Sequence, residues 1–197
     1  MGRRGKKSEI LETGAELVHR AGFAATSVAD ITAAAGVPKG SFYNHFDSKD
    51  AFGNAVLDRY FEDVRAALEQ TLHATGAPAL TRIHNYFQRL KAYVAEENFA
   101  RGCLIGNISA EVSAVSDATR RQLEALIREW TASLARCIAD GQHDGSIRRG
   151  PAAEALAVLL LDAWQGALLR AKVERRPAAL DNFLDVLLPG LGPGQLK

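Results

Sequence analysis

The sequence predicts an all-α chain, with a small N-terminal helix-turn-helix domain followed by a larger helical domain. Three observations predict it. Apolar residues recur at three- and four-residue spacing, and no stretch alternates with period two for long. Early in the chain the helical patterns are short and are punctuated by Gly22, Gly36 and Pro38. Beyond Gly76-Ala77-Pro78 the patterns lengthen. The predicted domains are 1–50, with a basic arm at 1–7, and 51–197.

The first helix is expected from Lys7 to Ala21, with Ile10, Leu11, Ala15 and Val18 on one face and Gly22 as its left-handed stop. Ser27-Val28-Ala29-Asp30 carries a capping box, a hydroxyl followed three residues later by an acid, and opens a short second helix ending at Ala35-Gly36. Pro38 presets the first turn of a third helix, expected to run about two turns to Phe46. Asp47 or Ser48 caps a long fourth helix, with Phe52, Val56, Phe61, Val64 and Leu68 in register. Further helices are predicted at 79–96, 103–113, 117–141, 152–174 and 178–188. In 117–141 one stripe is apolar: Leu123, Leu126, Ile127, Trp130, Leu134 and Ile138. The 152–174 segment is apolar nearly all round, so it needs cover on more than one side. A partner subunit is the expected second cover.

Bulk properties narrow the function classes. Lys and Arg number 24 against 23 Asp and Glu, for a net charge of +1. Nucleic-acid contact must therefore come from local charge rather than from the whole surface. Cys103 and Cys137 have neither metal-ligand spacing nor a disulfide framework. Their pattern suits a reducing compartment, so a cytoplasmic location is expected. Arg3-Arg4-Gly5-Lys6-Lys7 is basic like a signal start, but Ser8-Glu9 follow where an apolar core would begin. The apolar run Ala155–Leu161 is far shorter than the roughly 20 residues that cross a bilayer. No membrane partner, metal or cofactor is expected.

The stretch Val37-Pro38-Lys39-Gly40-Ser41-Phe42-Tyr43-Asn44-His45-Phe46 alternates rings with polar groups. In a helix-turn-helix, the second helix of the pair enters the major groove, N-terminus first. The rings can hold a helix too short to persist alone, while its polar residues face outward. From Thr26-Ser27-Val28-Ala29-Asp30-Ile31 through this stretch to Lys49, the chain resembles the TetR family of one-component transcriptional regulators. The resemblance implies a double-stranded DNA operator as partner. It places Lys39, Gly40 and Ser41 at the leading end of the recognition helix. Lysine can donate to guanine O6 or N7 there. Tyr43, His45 and Lys49 are expected to donate to phosphate oxygens. Thr26 and Ser27 are expected to add hydroxyl or backbone contacts. Arg3, Arg4, Lys6 and Lys7 form a basic arm suited to phosphates or the minor groove. Each ring also has a plainer use in the core, above all Phe42 and Phe46. Pro38 stands where relatives often carry a polar cap, which removes one hydroxyl contact.

The resemblance further implies a homodimer joined through the last two long helices, here with Leu160, Trp164, Leu168, Phe183 and Leu187. It also implies a small-molecule effector bound in the larger domain. Arg101-Gly102-Cys103-Leu104-Ile105-Gly106-Asn107 resembles a branch typified by the repressor of N-ethylmaleimide reductase and by acrylate-responsive regulators, which respond to small electrophiles or unsaturated acids. A cysteine at a helix start has a thiolate favoured by the helix dipole. Lys172 is placed near it by the spacing in such relatives, and Trp130 and Phe99 are candidate walls. Inert packing of Cys103 competes with this reading, and Cys137 is expected to be inert. An all-helical thiol-redox protein is the alternative, but no histidine partner for Cys103 is legible in the sequence. A helical adaptor that binds no DNA is a third class. No enzymatic activity is expected.

Overall fold

The computed structural model describes residues 3–112 and 116–194, with no side-chain description for Arg3, Arg4 and Val112. Every regular element among these residues is helical: α1 Arg3–Ala21, α2 Val28–Ala34, α3 Lys39–Tyr43, α4 Lys49–Thr71, α5 Ala79–Ala95, α6 Leu104–Val112, α7 Asp117–Asp144, α8 Ala153–Glu174 and α9 Ala178–Asn182. A π-helical segment, Phe183–Leu187, and a 3-10 turn, Pro189–Leu191, close the described chain. Position 113, where the sequence extends the sixth helix, lies outside the described residues. Among the described residues, no helix is long and apolar enough to cross a membrane.

The backbone divides into two compact units. One is Met1–Glu62 with Leu104–Ala125; the other is Asp63–Cys103 with Leu126–Lys197. Thus α6 and the start of α7 pack with the N-terminal helices, although they follow them by dozens of residues.

In the first unit the core is a cluster of rings. Phe42 and Phe46 lie 5.3 Å apart, and Phe52 of α4 sits 5.5 and 5.2 Å from them. Ile10, Val18, Phe23 and Ile31 are buried beside this cluster's helices. Gly14 keeps α1 close to its neighbours, since a Cβ there would meet the Phe52 ring at 2.5 Å and Ile31 at 3.0 Å. The predicted capping box of α2 is present, with Asp30 N–H donating to Ser27 Oγ and Ser27 N–H donating to the Asp30 carboxylate. Gly36 makes the turn with φ +64. Long-range bonds from Thr119 and Gln122 hold α7 in this unit, one of them from Gln122 to Asn54 O at 2.9 Å. Thr119 donates to Asn54 Oδ1 at 2.9 Å, and Gln122 donates to Asp58 at 2.6 Å.

The second unit is centred on Phe87 of α5, whose ring lies 4.9 Å from Trp164 of α8 and 4.7 Å from Phe183. Arg65 makes two parallel bonds to Glu129, at 2.6 and 2.9 Å, and holds the carboxyl below its usual pKa. The N-terminus of α5 is closed by Asp144 and Ser146, which accept from Ala79 and Leu80 N–H.

Two expectations are corrected here. The first helix begins not at Lys7 but at Arg3, so the basic residues belong to α1. No proline interrupts Arg3–Lys7, and a single interior glycine is tolerated in a helix that tertiary packing supports. The recognition helix is shorter than two turns: α3 is five residues, and Asn44 and His45 follow it in a turn.

Candidate nucleic-acid interface and effector site

The polar and apolar residues of α3 separate by face. Phe42 is fully buried and Phe46 nearly so. Lys39, Gly40 and Asn44 are exposed, Ser41 and His45 are half-buried, and Tyr43 is 52% exposed while its ring stands edge-on to Phe42 at 5.3 Å. A Cβ placed on Gly40 would meet nothing within 4 Å. Packing inside the subunit therefore does not require glycine there, and close approach by something outside would. On α1, Lys6 and Lys7 are exposed, and Lys7 Nζ lies 5.6 Å from the Phe46 ring centre.

Three residues read as DNA contacts have internal partners. Thr26 is buried, and its hydroxyl donates to Gly22 O at 2.7 Å, satisfying a carbonyl left over at the end of α1. Its own N–H donates to Phe23 O. Ser27 is exposed but committed to Asp30, whose carboxylate adds negative charge at that spot. Two bonds from Ser27 hold the Asp30 carboxyl below its ordinary pKa. Lys49 Nζ donates to Ala24 O at 3.3 Å and lies 4.6 Å over the Phe23 ring.

In the second unit, Cys103 is buried and sits immediately before α6, so its predicted place at a helix start is met. Gln165 Nε2 of α8 donates to Cys103 Sγ at 3.4 Å, a partner the sequence did not reveal. Lys172 lies seven residues beyond Gln165, on the same face of α8, and is half-buried. Trp130 is buried on α7; Phe99 is half-buried with φ +59, and its N–H donates to Val94 O. Tyr86 is fully buried, and burial raises its hydroxyl pKa well above the usual tyrosine value. Cys137 is also buried, donates weakly to Ala79 O at 3.8 Å, and has its thiol pKa pushed up to about 11 by burial. That environment suits an inert thiol.

The expected dimer residues need revision. Leu160, Trp164, Leu168 and Phe183 are buried within the subunit's own core, and only Leu187 of the five is exposed. The apolar surplus of α8 lies on the opposite face. Leu159, Gly166, Leu169 and Val173 follow one another there with Asp162 as the charged member, and Leu159 and Leu169 are 63% and 65% exposed. Val186 is exposed as well. An all-round apolar helix does not reveal from sequence which side belongs to the core.

A capped short helix, a tight glycine turn and a ring-anchored second short helix with an outward polar face make a helix-turn-helix. Comparison with known proteins agrees. Residues 10–56 match the family described as "Bacterial regulatory proteins, tetR family", and residues 79–187 match "Tetracyclin repressor-like, C-terminal domain". The HTH-type transcriptional repressor DhaR of Mycobacterium sp. strain GP1 is 43% identical over 193 residues, covering 98% of this chain and 96% of that protein. The repressor NemR of Escherichia coli K12 is 30% identical over 178 residues, 90% and 89% of the two chains. Among solved structures, a regulatory protein TetR from Rhodobacter sphaeroides superposes with a TM-score of 0.87 at 31% identity, covering 92% of this chain and 96% of that one. Escherichia coli NemR in its reduced form gives 0.83 at 31%, covering 94% and 96%. The chain belongs to the TetR family of transcriptional regulators.

Proposed function

We propose that the protein is a homodimeric repressor that binds a near-palindromic operator and is released from it by a small-molecule or electrophilic inducer. The observation that carries the reading is the α3 surface: Lys39, Gly40 and Ser41 lead, Tyr43 and His45 flank, and the rings behind them are buried. Lys39 and Ser41 read base edges, while Tyr43, His45, Lys6 and Lys7 hold phosphates. Arg3 and Arg4 extend the basic end of α1. The exposed face of α8, with Leu187 and Val186, receives the second subunit, and two-fold pairing then demands a two-fold operator. The inducer acts at Cys103, with Trp130, Phe99 and Lys172 around its site. A relative, Escherichia coli NemR, has been solved in a form described as reduced, and the placement of Cys103 before α6 supports a responsive thiol in this chain.

The test is release of a fluorescent palindromic duplex, taken from beside the protein's own coding region, by N-ethylmaleimide. Wild type should release it and Cys103→Ser should hold it. Equal release by both would remove Cys103 from the mechanism.

A further inference from the structure

Gly166 stands mid-helix on the exposed face of α8, and a Cβ placed there would meet nothing within 4 Å. A glycine in that position weakens the helix, and packing inside the subunit does not require it. Close approach by another backbone does. The residues around it mirror one another. Leu159 lies seven positions before Gly166 and Val173 seven after; Asp162 lies four before and Arg170 four after. All four are exposed, and these spacings keep them on one face. An apolar residue thus answers an apolar one, and an acid answers a base. Asp162 makes no hydrogen bond or ion pair among the described residues. Arg170 donates to Glu174 Oε1 at 2.8 Å, but Arg176 donates to the other oxygen of that carboxylate at 2.8 Å. Arg170 can therefore turn elsewhere without stranding Glu174.

We propose that Gly166 marks the two-fold axis of the dimer, and that Asp162 of each subunit pairs with Arg170 of its partner, so that this charge pair selects a second copy of the same chain. This rests on the reading of the exposed α8 face as the dimer surface. Two α8 helices that cross antiparallel at Gly166 set each position before the crossing against the equivalent position after it. Leu159 then meets Val173 of the partner subunit, and two ion pairs form, each about 6 Å along the helix from the crossing point. An isologous contact demands this arrangement, because where one residue meets another the reverse contact also exists. A partner of unrelated sequence places no such demand for a self-mirroring face. The pair acts on selection more than on raw affinity: a chain with like charge at either position is rejected by repulsion.

The experiment uses the full chain and charge reversal at the two positions, both exposed and so free to change without loss of the fold. Asp162→Arg and Arg170→Asp, made separately, each set like charges together twice in a homodimer. Sedimentation equilibrium should show the dimer dissociation constant raised about tenfold or more for each single variant. The double variant, Asp162→Arg with Arg170→Asp in one chain, should return to within about threefold of wild type. The two single variants, co-expressed with different tags and weighed by native mass spectrometry, should form the mixed dimer well above its statistical share, because both pairs are complementary only there. Single variants that pair as wild type does, failure of the double variant to recover, or a statistical mixture of the three dimers would overturn the proposal while leaving the homodimer standing. A monomeric wild type would overturn both.

Discussion

The Glu111 carboxylate, near the end of α6, accepts a hydrogen bond from the Ala24 N–H at 2.6 Å, while Lys49 donates to the carbonyl of that same residue at 3.3 Å. The turn between α1 and α2 is thus held from both sides of one residue. The carboxylate also abuts Gly22, whose Cβ, if present, would lie 2.8 Å from Glu111 Oε1. Glu111 therefore belongs with the N-terminal helices, in the unit that holds α1 to α3. Replacing Glu111 with alanine should cost about 1 kcal/mol, lowering Tm by about 2–4 °C, and should weaken operator binding. Calorimetry together with a binding isotherm on the same variant checks both parts.

Gly40→Ala separates stability from recognition. The new methyl meets nothing in the subunit, so α3 gains helix propensity and Tm should hold or rise. Operator affinity should fall, because the methyl intrudes where the duplex approaches. Tyr43→Phe keeps the ring on Phe42 and removes only the hydroxyl; it should weaken binding alike on all sequences. Electrophoretic mobility shift with specific and scrambled duplexes distinguishes the two effects.

The two faces of α8 predict opposite outcomes. Leu159→Lys combined with Leu169→Lys should leave a folded monomer in sedimentation velocity, since both side chains lie on the exposed apolar face. Trp164→Ala should destabilise the subunit itself by about 3–5 kcal/mol, because that ring packs between Phe87 and Phe183. A folded, dimeric Trp164→Ala of normal stability would contradict the assignment.

Asp144 supplies a pH dependence. Bonds from the Ser146 side chain and backbone, then from the Ala79 N–H, hold its carboxyl below 3.8. A depressed carboxylate stabilises the fold above its unfolded pKa, and that contribution is lost as pH falls through the lower folded value. Asp144→Asn should therefore be less stable than wild type at pH 6, and the gap should close below pH 3.8. Urea titrations at the two extremes measure it.

Local chemistry was the most legible part of this sequence. The Ser27–Asp30 box, the Gly22 and Gly36 stops and the burial of Phe42 and Phe46 all depend on neighbours a few residues away. What depends on distant pairing was not legible. Glu111 meets Ala24 across 87 positions, and Gln165 meets Cys103 across 62. Thr26 looked free because its partner, the Gly22 carbonyl, is a backbone atom with no sequence signature. The faces of α8 could not be assigned because apolar residues occupy both.

The central claim is that α3 offers its polar face to DNA from each of two paired subunits. Its most direct measurement is fluorescence anisotropy of a palindromic duplex from beside the coding region, titrated with protein over a range of salt concentrations, for wild type and Lys39→Ala. The predicted result is binding of two protomers per duplex, preference over a scrambled duplex, an affinity that falls steeply with salt, and loss of the preference in Lys39→Ala. Equal binding of palindromic and scrambled duplexes by both proteins, or binding as a monomer, would contradict it.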